Sequence, residues 1–396
     1  MSKEFTPEEW QTIRQALSSD PERYGFPVRD YGSALVGSFN IRELGNPENR
    51  TDETWKFLAH ICRQFDLLAV QEISDNLAGL DRLLSEMDGP YATAVSDVTG
   101  AFPGLTSAGE RLAFIYNWEV VERTRVCSDI SYDRSHLIDN LHENLPAISR
   151  AYAHADETYR QKMDLYRDGL RETEPDWQLK LPVFLSFIRT PYCTGFRLKG
   201  HARTRPFEFL VVNAHLYYGH YITDRRQEFN ALMRWLLARF QQDSPEHPNF
   251  LLLGDLNLDF DNPDTDRDRI EEHMKTFDQH APPGLFVNFP FLDRHPRHGR
   301  YLRTNARLDE TFDQIGIFGR DRRLPSHDEL AQMGQNPRGP DYGVFDFTEL
   351  FSRTLRGQSY STLTEKQKRE LVGRYQWEVS DHMPLWLRLP LPTDTF

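Results

Sequence analysis

Several short apolar runs in this sequence end in polar residues of kinds that do chemistry. Ala34–Phe39 stops at Asn40, and Leu67–Val70 leads into Gln71 and Glu72. Phe209–Val212 leads through Asn213 to His215, and Phe250–Leu253 through Gly254 to Asp255 and Asn257. The last run, Met383–Leu389, is preceded by Asp381 and His382. Taken singly each has an ordinary reading: an Asn after a strand is usually a turn residue, a lone Glu is solvated and a lone His is structural. Together they form a set. Carboxylate and amide oxygens without cysteine suit Mg²⁺, Mn²⁺ or Ca²⁺ rather than zinc. Two imidazoles suit proton transfer near neutral pH. Hydrolysis of a phosphate ester by metal-activated water uses all of these groups.

For the residues to meet, the runs must be strands of one sheet system whose ends converge. Thr6-Pro7-Glu8-Glu9 predicts a capped first helix. Helices are also predicted over 53–64, 76–87, from about Asp224 to Phe240, near 265–278, and at 364–373 with Thr364 and Gln367 as cap. Leu112–Tyr116, Val183–Ile188 and Gln314–Phe318 read as further strands. Residues 131–180 read as a polar helical insertion, and 320–376 as a mostly irregular one. The long connections keep aromatics such as Phe286, Phe345 and Phe347, unlike linkers. The organisation expected is a helical extension over residues 1–30 followed by one α/β domain over 31–396 carrying both insertions.

At 396 residues, with 39% hydrophobic and 27% charged, the chain can bury a core without staples. A net charge of −13 argues against a protein that merely coats nucleic acid, though not against a nuclease whose metal faces the phosphate. Cys62, Cys127 and Cys193 form no CxxC pair and are expected as thiols in a reducing compartment. The polar start MSKEFTPEEW shows no apolar leader, and no 18-residue apolar run is present. A cytoplasmic location is the expectation.

The ordered segments SFNIRELG (38–45), AVQEISD (69–75), GERLAFIY (109–116), NAHLYYG (213–219), GDLNLDF (254–260), TFDQIGIF (311–318) and SDHMPLW (380–386) resemble the endonuclease/exonuclease/phosphatase superfamily over about residues 31–390. Asn40-Ile41-Arg42 with Gly45, and Glu110-Arg111, are similar to the deoxyribonuclease I-like branch. The resemblance implies a four-layer α/β sandwich: two mostly antiparallel sheets packed face to face, with helices outside and the site at one edge.

The resemblance also implies roles. Glu72, with Asn40, would hold Mg²⁺, for which Mn²⁺ or Ca²⁺ substitutes, and Asp381 would complete the shell. His215, oriented by Glu110, and His382, oriented by Asp313, would serve as acid and base. Asp255 and Asn257 would position phosphate and water, or bind a second metal. Asp309 is a rival partner for His382; Asp313 is preferred because it directly precedes Ile315–Phe318. Arg42, Arg111 and Arg189 are candidate phosphate contacts, with surface ion pairing the alternative. Tyr217, Tyr218 and Tyr221 suit base or sugar stacking and loop packing equally. The implied activity is a metal-dependent DNA endonuclease. A phosphatase or phosphodiesterase acting on a small phosphoester or phospholipid head group stays open. A catalytically silent binding module is disfavoured because every site position is filled.

Overall fold

The computed structural model describes residues 4–27, 29, 33–100, 109–132, 134–200, 205–218, 222–241, 249–258, 267–281, 283–319 and 342–391. Among these described residues, twelve strands form two six-stranded sheets. The first has the order β11-β12-β1-β2-β4-β3, from Tyr342–Val344, Leu385–Pro390, Ser33–Leu44, Leu67–Ile73, Arg111–Asn117 and Tyr91–Val95. The second has the order β5-β6-β7-β8-β10-β9, from Val121–Asp129, Tyr192–Leu198, Phe207–His215, Asn249–Asp255, Asp313–Gly319 and Phe286–Asn288. Each sheet contains one parallel pair, β1 with β2 and β7 with β8, and the other pairings are antiparallel. This is the four-layer α/β sandwich.

The central strands read as unbroken apolar runs because both their faces are covered. On β8, Leu251 and Leu253 join the core between the sheets. Phe250 and Leu252, on the opposite face, pack with Phe229, Leu232 and Leu236 of helix α5 (Ile222–Phe240). The alternation continues on β7, where Phe209 and Val211 face inward and Leu210 and Val212 outward. Odd-numbered positions of both strands therefore look toward the first sheet.

Helix α1 (Pro7–Ser19) starts with the expected capping box between Thr6 and Glu9. Its Trp10, Ile13 and Leu17 are buried, with Trp10 packed on Phe57 and Phe351. Helices α2 (Asp52–Cys62) and α3 (Ala78–Met87) cover the first sheet's side. Helix α4 runs 34 residues, Arg134–Arg167, within the expected helical insertion. Helix α6 is Arg267–His280. No described helix is long and apolar enough to cross a membrane.

Two expectations are overturned. Val183–Ile188 is not a strand. Its Phe184 and Phe187 pack on each other at 5.0 Å and on Tyr132, pinning the insertion to the body. The strand that belongs there is β6, a few residues later. The described part of 320–376 is not irregular either: it holds β11, helix α7 (Phe347–Arg356) and helix α8 (Glu365–Glu378). The Thr364–Gln367 capping box at α8 is as expected. Residues 320–341 lie outside the described part.

Candidate active site

Strand register assembles one half of the site. The parallel pairing of β7 with β8 sets His215 beside Asp255, and the antiparallel pairing of β8 with β10 sets Asp313 against Asp255. All three are buried and belong to the face that looks at the first sheet. Gly254 permits this pairing. A Cβ there would lie 1.8 Å from the Ala214 carbonyl oxygen, and its φ of +144° is disfavoured for other residues.

The first sheet supplies the other half. β1 and β2 pair Asn40 with Gln71, and then both leave the regular ladder. Glu43 and Glu72 take positive φ values of 45° and 61°, a conformation that costs a non-glycine residue on the order of 1–2 kcal/mol. The irregularity re-aims the Glu72 side chain. Its Oε2 accepts from the Glu43 N–H at 3.0 Å and its Oε1 from Asn40 Nδ2 at 3.0 Å. Asn40 Nδ2 also donates to Asp255 Oδ2 at 3.2 Å, joining the two sheets at the site.

Each histidine has a carboxylate behind it. His215 Nδ1 lies 2.6 Å from Glu110 Oε1, and His382 Nδ1 lies 2.8 Å from Asp313 Oδ2. A carboxylate only accepts, so Nδ1 carries the proton in both rings. Both Nε2 atoms stand 3.5 Å from the same oxygen, Asp255 Oδ2. Asp309 takes no part in this, since its Oδ1 accepts from Asn305 Nδ2 at 2.5 Å. Asn257, at a φ of +52°, donates its N–H to Asp255 Oδ1 at 2.9 Å and its Nδ2 to the Leu216 carbonyl at 2.8 Å.

The electrostatics follow from these contacts. Burial alone would lower the His215 pKa, but the Glu110 charge and hydrogen bond outweigh it and raise the value. Burial opposes protonation of His382 too, and Asp313 and Asp255 overcome it, so His382 stands well above its ordinary range. Burial disfavours the Glu72 anion, yet the two histidines and the Glu43 and Asn40 donors hold its pKa below normal. Asp381 is raised by burial, with the Glu72 charge adding to it and His382 and Arg42 opposing.

The arginines divide. Arg189 NH1 is 3.2 Å from His215 Nε2, and its Nε is 3.3 Å from Glu110 Oε1. Arg42 pairs with Asp381 Oδ2 at 3.2 Å while its guanidinium lies 3.8 Å over the Trp377 ring. Arg111 is turned elsewhere, donating to the Asp75 and Ser96 carbonyls at 3.1 and 2.8 Å. Tyr217 gives its N–H to Glu228 Oε2 at 2.9 Å. Tyr218 is the exposed aromatic of that loop, with Arg225 stacked 4.3 Å from its ring. Arg225 in turn donates to the Asn257 carbonyl at 2.9 Å. Tyr221 lies outside the described residues.

Three supporting residues escaped the sequence reading. Ser380 Oγ donates to the Asn40 carbonyl at 2.7 Å and accepts from the Arg42 and His382 N–H groups at 3.1 and 3.2 Å. It ties the Asn40 strand end to the Asp381–His382 segment. Gln71 Nε2 donates to Asn213 Oδ1 at 2.7 Å, a buried amide link between the sheets one residue before Glu72. Glu228 of α5 is buried and accepts from the N–H groups of Ile188 and Tyr217 at 2.8 and 2.9 Å. It thereby fastens the residues next to Arg189 and His215. The only sequence signal for Ser380 and Gln71 was adjacency to a site residue, and for Glu228 there was none.

A hard cation fits the donors present. Asn40 Oδ1 is buried and accepts no hydrogen bond among the described residues, while Nδ2 is fully used by two carboxylates. An unsatisfied buried amide oxygen beside the Glu72 and Asp255 carboxylates is what Mg²⁺, Mn²⁺ or Ca²⁺ takes as ligands. Asp255, Asp313 and His382 also present ligand atoms within 4.8 Å of one another. Asp313 Oδ2 and His382 Nδ1 bond each other there, but Asp313 Oδ1, like Asn40 Oδ1, is buried without a hydrogen-bond partner among the described residues, so both sets offer a cation an unsatisfied oxygen.

Fold and site define a class of phosphate-ester hydrolase. The chain belongs to the endonuclease/exonuclease/phosphatase family, whose sequence model matches residues 37–382. Members of this family hydrolyse phosphate esters and are generally dependent on divalent metals. Among solved structures, the chain is similar to the human Nocturnin catalytic domain with bound sulfate. That match has 12% identity and a TM-score of 0.46, covering 92% of this chain and 96% of that one. It is similar to D. rerio TDP2 complexed with single-strand DNA product, at 11% identity and a TM-score of 0.45, over 91% and 99%. It is also similar to a Bacteroides thetaiotaomicron mannosyl-6-phosphatase, at 14% identity and a TM-score of 0.46, over 90% and 99%. No curated protein sequence matches the chain.

Proposed function

We propose that this protein is a Mg²⁺-dependent phosphodiesterase and, within that class, a DNA endonuclease. One observation carries the reading. Two imidazoles, each backed by a carboxylate at Nδ1, present Nε2 atoms 3.5 Å from one shared oxygen, Asp255 Oδ2. That arrangement suits two proton transfers on either side of a phosphorus atom.

Glu72 and Asn40 would hold the cation, and Asp381 would add a further carboxylate to it. A bound divalent cation neutralises phosphoryl charge and acidifies water. The protein's own groups do the rest. His215 and His382 divide the acid and base roles, one removing a proton from the attacking water at Nε2, the other delivering one to the leaving oxygen. Glu110 and Asp313 fix the rings with Nδ1 protonated and stabilise the imidazolium each ring forms. Asp255 and Asn257 orient water and phosphate between the rings. Arg189, a planar donor beside His215, binds a phosphoryl oxygen and stabilises charge building on it. Arg42 contributes a second cationic contact near Asp381, and the stacked Arg225–Tyr218 pair offers a flat surface to a base or sugar. Tyr217 positions this loop through its backbone.

DNA is preferred because the Asn40-Ile41-Arg42 and Glu110-Arg111 segments are similar to the deoxyribonuclease I-like branch. A second reading keeps the chemistry and takes a small phosphoester or phospholipid head group. The net charge of −13 favours it, because a long polyanion is repelled at distance. Supercoiled plasmid, RNA and a small-phosphoester panel, incubated side by side with Mg²⁺, separate the two. Plasmid nicking that stops with chelator supports the endonuclease. Intact plasmid and RNA with a cleaved small ester removes it in favour of the second reading.

A further inference from the structure

A cavity of about 1220 Å³ opens between the turn at Glu22–Tyr24, the segment 294–309, α7 and one face of α8 from Glu365 to Gln376. None of the candidate active-site residues lines it. Its lining carries seven arginines, one lysine and His298 against five carboxylates, a local excess of positive charge in a chain of net charge −13. Four of those carboxylates are occupied, Asp309 by Asn305 Nδ2 at 2.5 Å. Glu349 takes Arg353 at 2.5 Å as well as Ser359 Oγ and the Tyr360 N–H. Glu365 takes Lys368 at 2.9 Å, and Asp346 caps α7 through the Glu349 N–H at 2.8 Å. Arg300 and Arg307, both exposed, form no ion pair with any described residue. The field is felt within the wall: burial, with Arg300 and Arg297 behind it, lowers the His298 pKa.

We propose that this cavity is a second binding site, separate from the His215–Asp255–His382 group, for a ligand carrying two or more phosphates. Guanidinium groups match phosphate oxygens with paired N–H donors. Concavity lets several of them reach one ligand, where a convex basic surface would not. The volume admits more than a single phosphate. Tyr24 and Tyr360 add hydroxyl and ring surface to the wall. The wall is also joined to the candidate active site. Leu302, Arg303 and residues 307–309 line the cavity, while between them the Ala306 N–H donates to the Asp381 carbonyl at 2.8 Å and the Thr304 carbonyl accepts from the Met383 N–H at 2.7 Å. A ligand in the cavity therefore holds the segment that hydrogen-bonds to both sides of His382.

The inference needs neither catalysis nor metal, so it is tested in chelator and stands apart from the phosphodiesterase reading. Titration calorimetry is run with tripolyphosphate and with a single-stranded oligonucleotide of about 12 nucleotides. The proteins are wild type, the double variant R300E/R307E, the milder R300Q/R307Q, and E72Q as a control at the other site. Circular dichroism checks that each is folded. Losing two charge-assisted contacts weakens binding by at least about tenfold in the charge-reversed protein, less in the neutral one, and not in E72Q. If only the oligonucleotide follows this pattern, the phosphates belong to a bound strand; if only tripolyphosphate does, they belong to a free ligand. Absence of binding by wild type to both probes overturns the proposal. So does undiminished binding by the folded double variants.

Discussion

His215 and Glu110 are 105 residues apart in sequence, and their Nδ1 and Oε1 atoms are 2.6 Å apart in the fold. His215 ends a strand of the second sheet and Glu110 directly precedes β4 of the first, so the contact exists only once the sandwich has closed. It gives a first prediction with a definite sign. The Glu110 anion favours the imidazolium, whereas burial and Arg189 favour the neutral ring. Replacing Glu110 with Gln removes the first influence and leaves the other two. The His215 pKa then falls, and its imidazole resonances titrate at lower pH than in wild type. An unshifted titration would show that Glu110 does not set the charge of His215.

Glu72→Gln keeps the shape of the side chain and removes the charge offered to a cation. The Mg²⁺ concentration giving half-maximal stabilisation in thermal melts should rise by at least about tenfold, since the lost interaction is worth more than about 1.4 kcal/mol. The same midpoint in both proteins takes Glu72 out of the cation site.

Gly254→Ala tests the close strand approach that sets Asp255 beside His215. The added Cβ meets the Ala214 carbonyl oxygen at 1.8 Å, backbone that cannot swing aside. The combined overpacking and φ strain should cost about 2–4 kcal/mol, read as a lower urea midpoint. Retention of the wild-type midpoint contradicts the account of this register.

Glu228→Ala leaves the Ile188 and Tyr217 N–H groups without their acceptor. Beyond a stability loss of about 1–3 kcal/mol, the residues flanking Arg189 and His215 loosen. The expected kinetic mark is a fall in kcat/KM of about tenfold or more, persisting at a temperature where the variant is fully folded. Glu228→Gln should recover only part of it, because an amide has one accepting oxygen for two donors. Full activity in folded Glu228→Ala would make the residue purely structural.

Much of the architecture was legible because strands covered on both faces are written as continuous apolar runs. β2, β4, β7, β8 and β10 were found that way, and their terminal polar residues pointed to the site. β5 was not, because its residues are mostly exposed and charged, as in Glu122 to Arg125. β6 was missed for a different reason. Its Thr194 and Gly195 are buried by neighbours rather than by their own hydrophobicity; a Cβ at Gly195 would meet Thr124. Val183–Ile188 misled because local hydrophobicity does not say whether a segment packs by strand pairing or by two phenylalanines against one tyrosine. At the site, partners that sit next to a motif could be anticipated, whereas Glu228 could not: its carboxylate serves residues 40 and 11 positions away, on loops that meet only in the folded chain. Arg111 shows the converse, a residue inside a matching motif whose Nε and NH1 donate to the Asp75 and Ser96 carbonyls.

The most direct measurement is the Mg²⁺-dependent rate of hydrolysis of bis(p-nitrophenyl) phosphate by four proteins: wild type, His215→Ala, His382→Ala and the double variant. Two imidazoles that act on one phosphorus as a unit predict a loss of about 10²-fold or more for each single change. The double variant should be little worse than the poorer single one, and chelator should abolish the wild-type rate. Wild-type turnover in either folded single variant, or turnover indifferent to chelator, would contradict the convergence of both histidines on Asp255 as the seat of the chemistry.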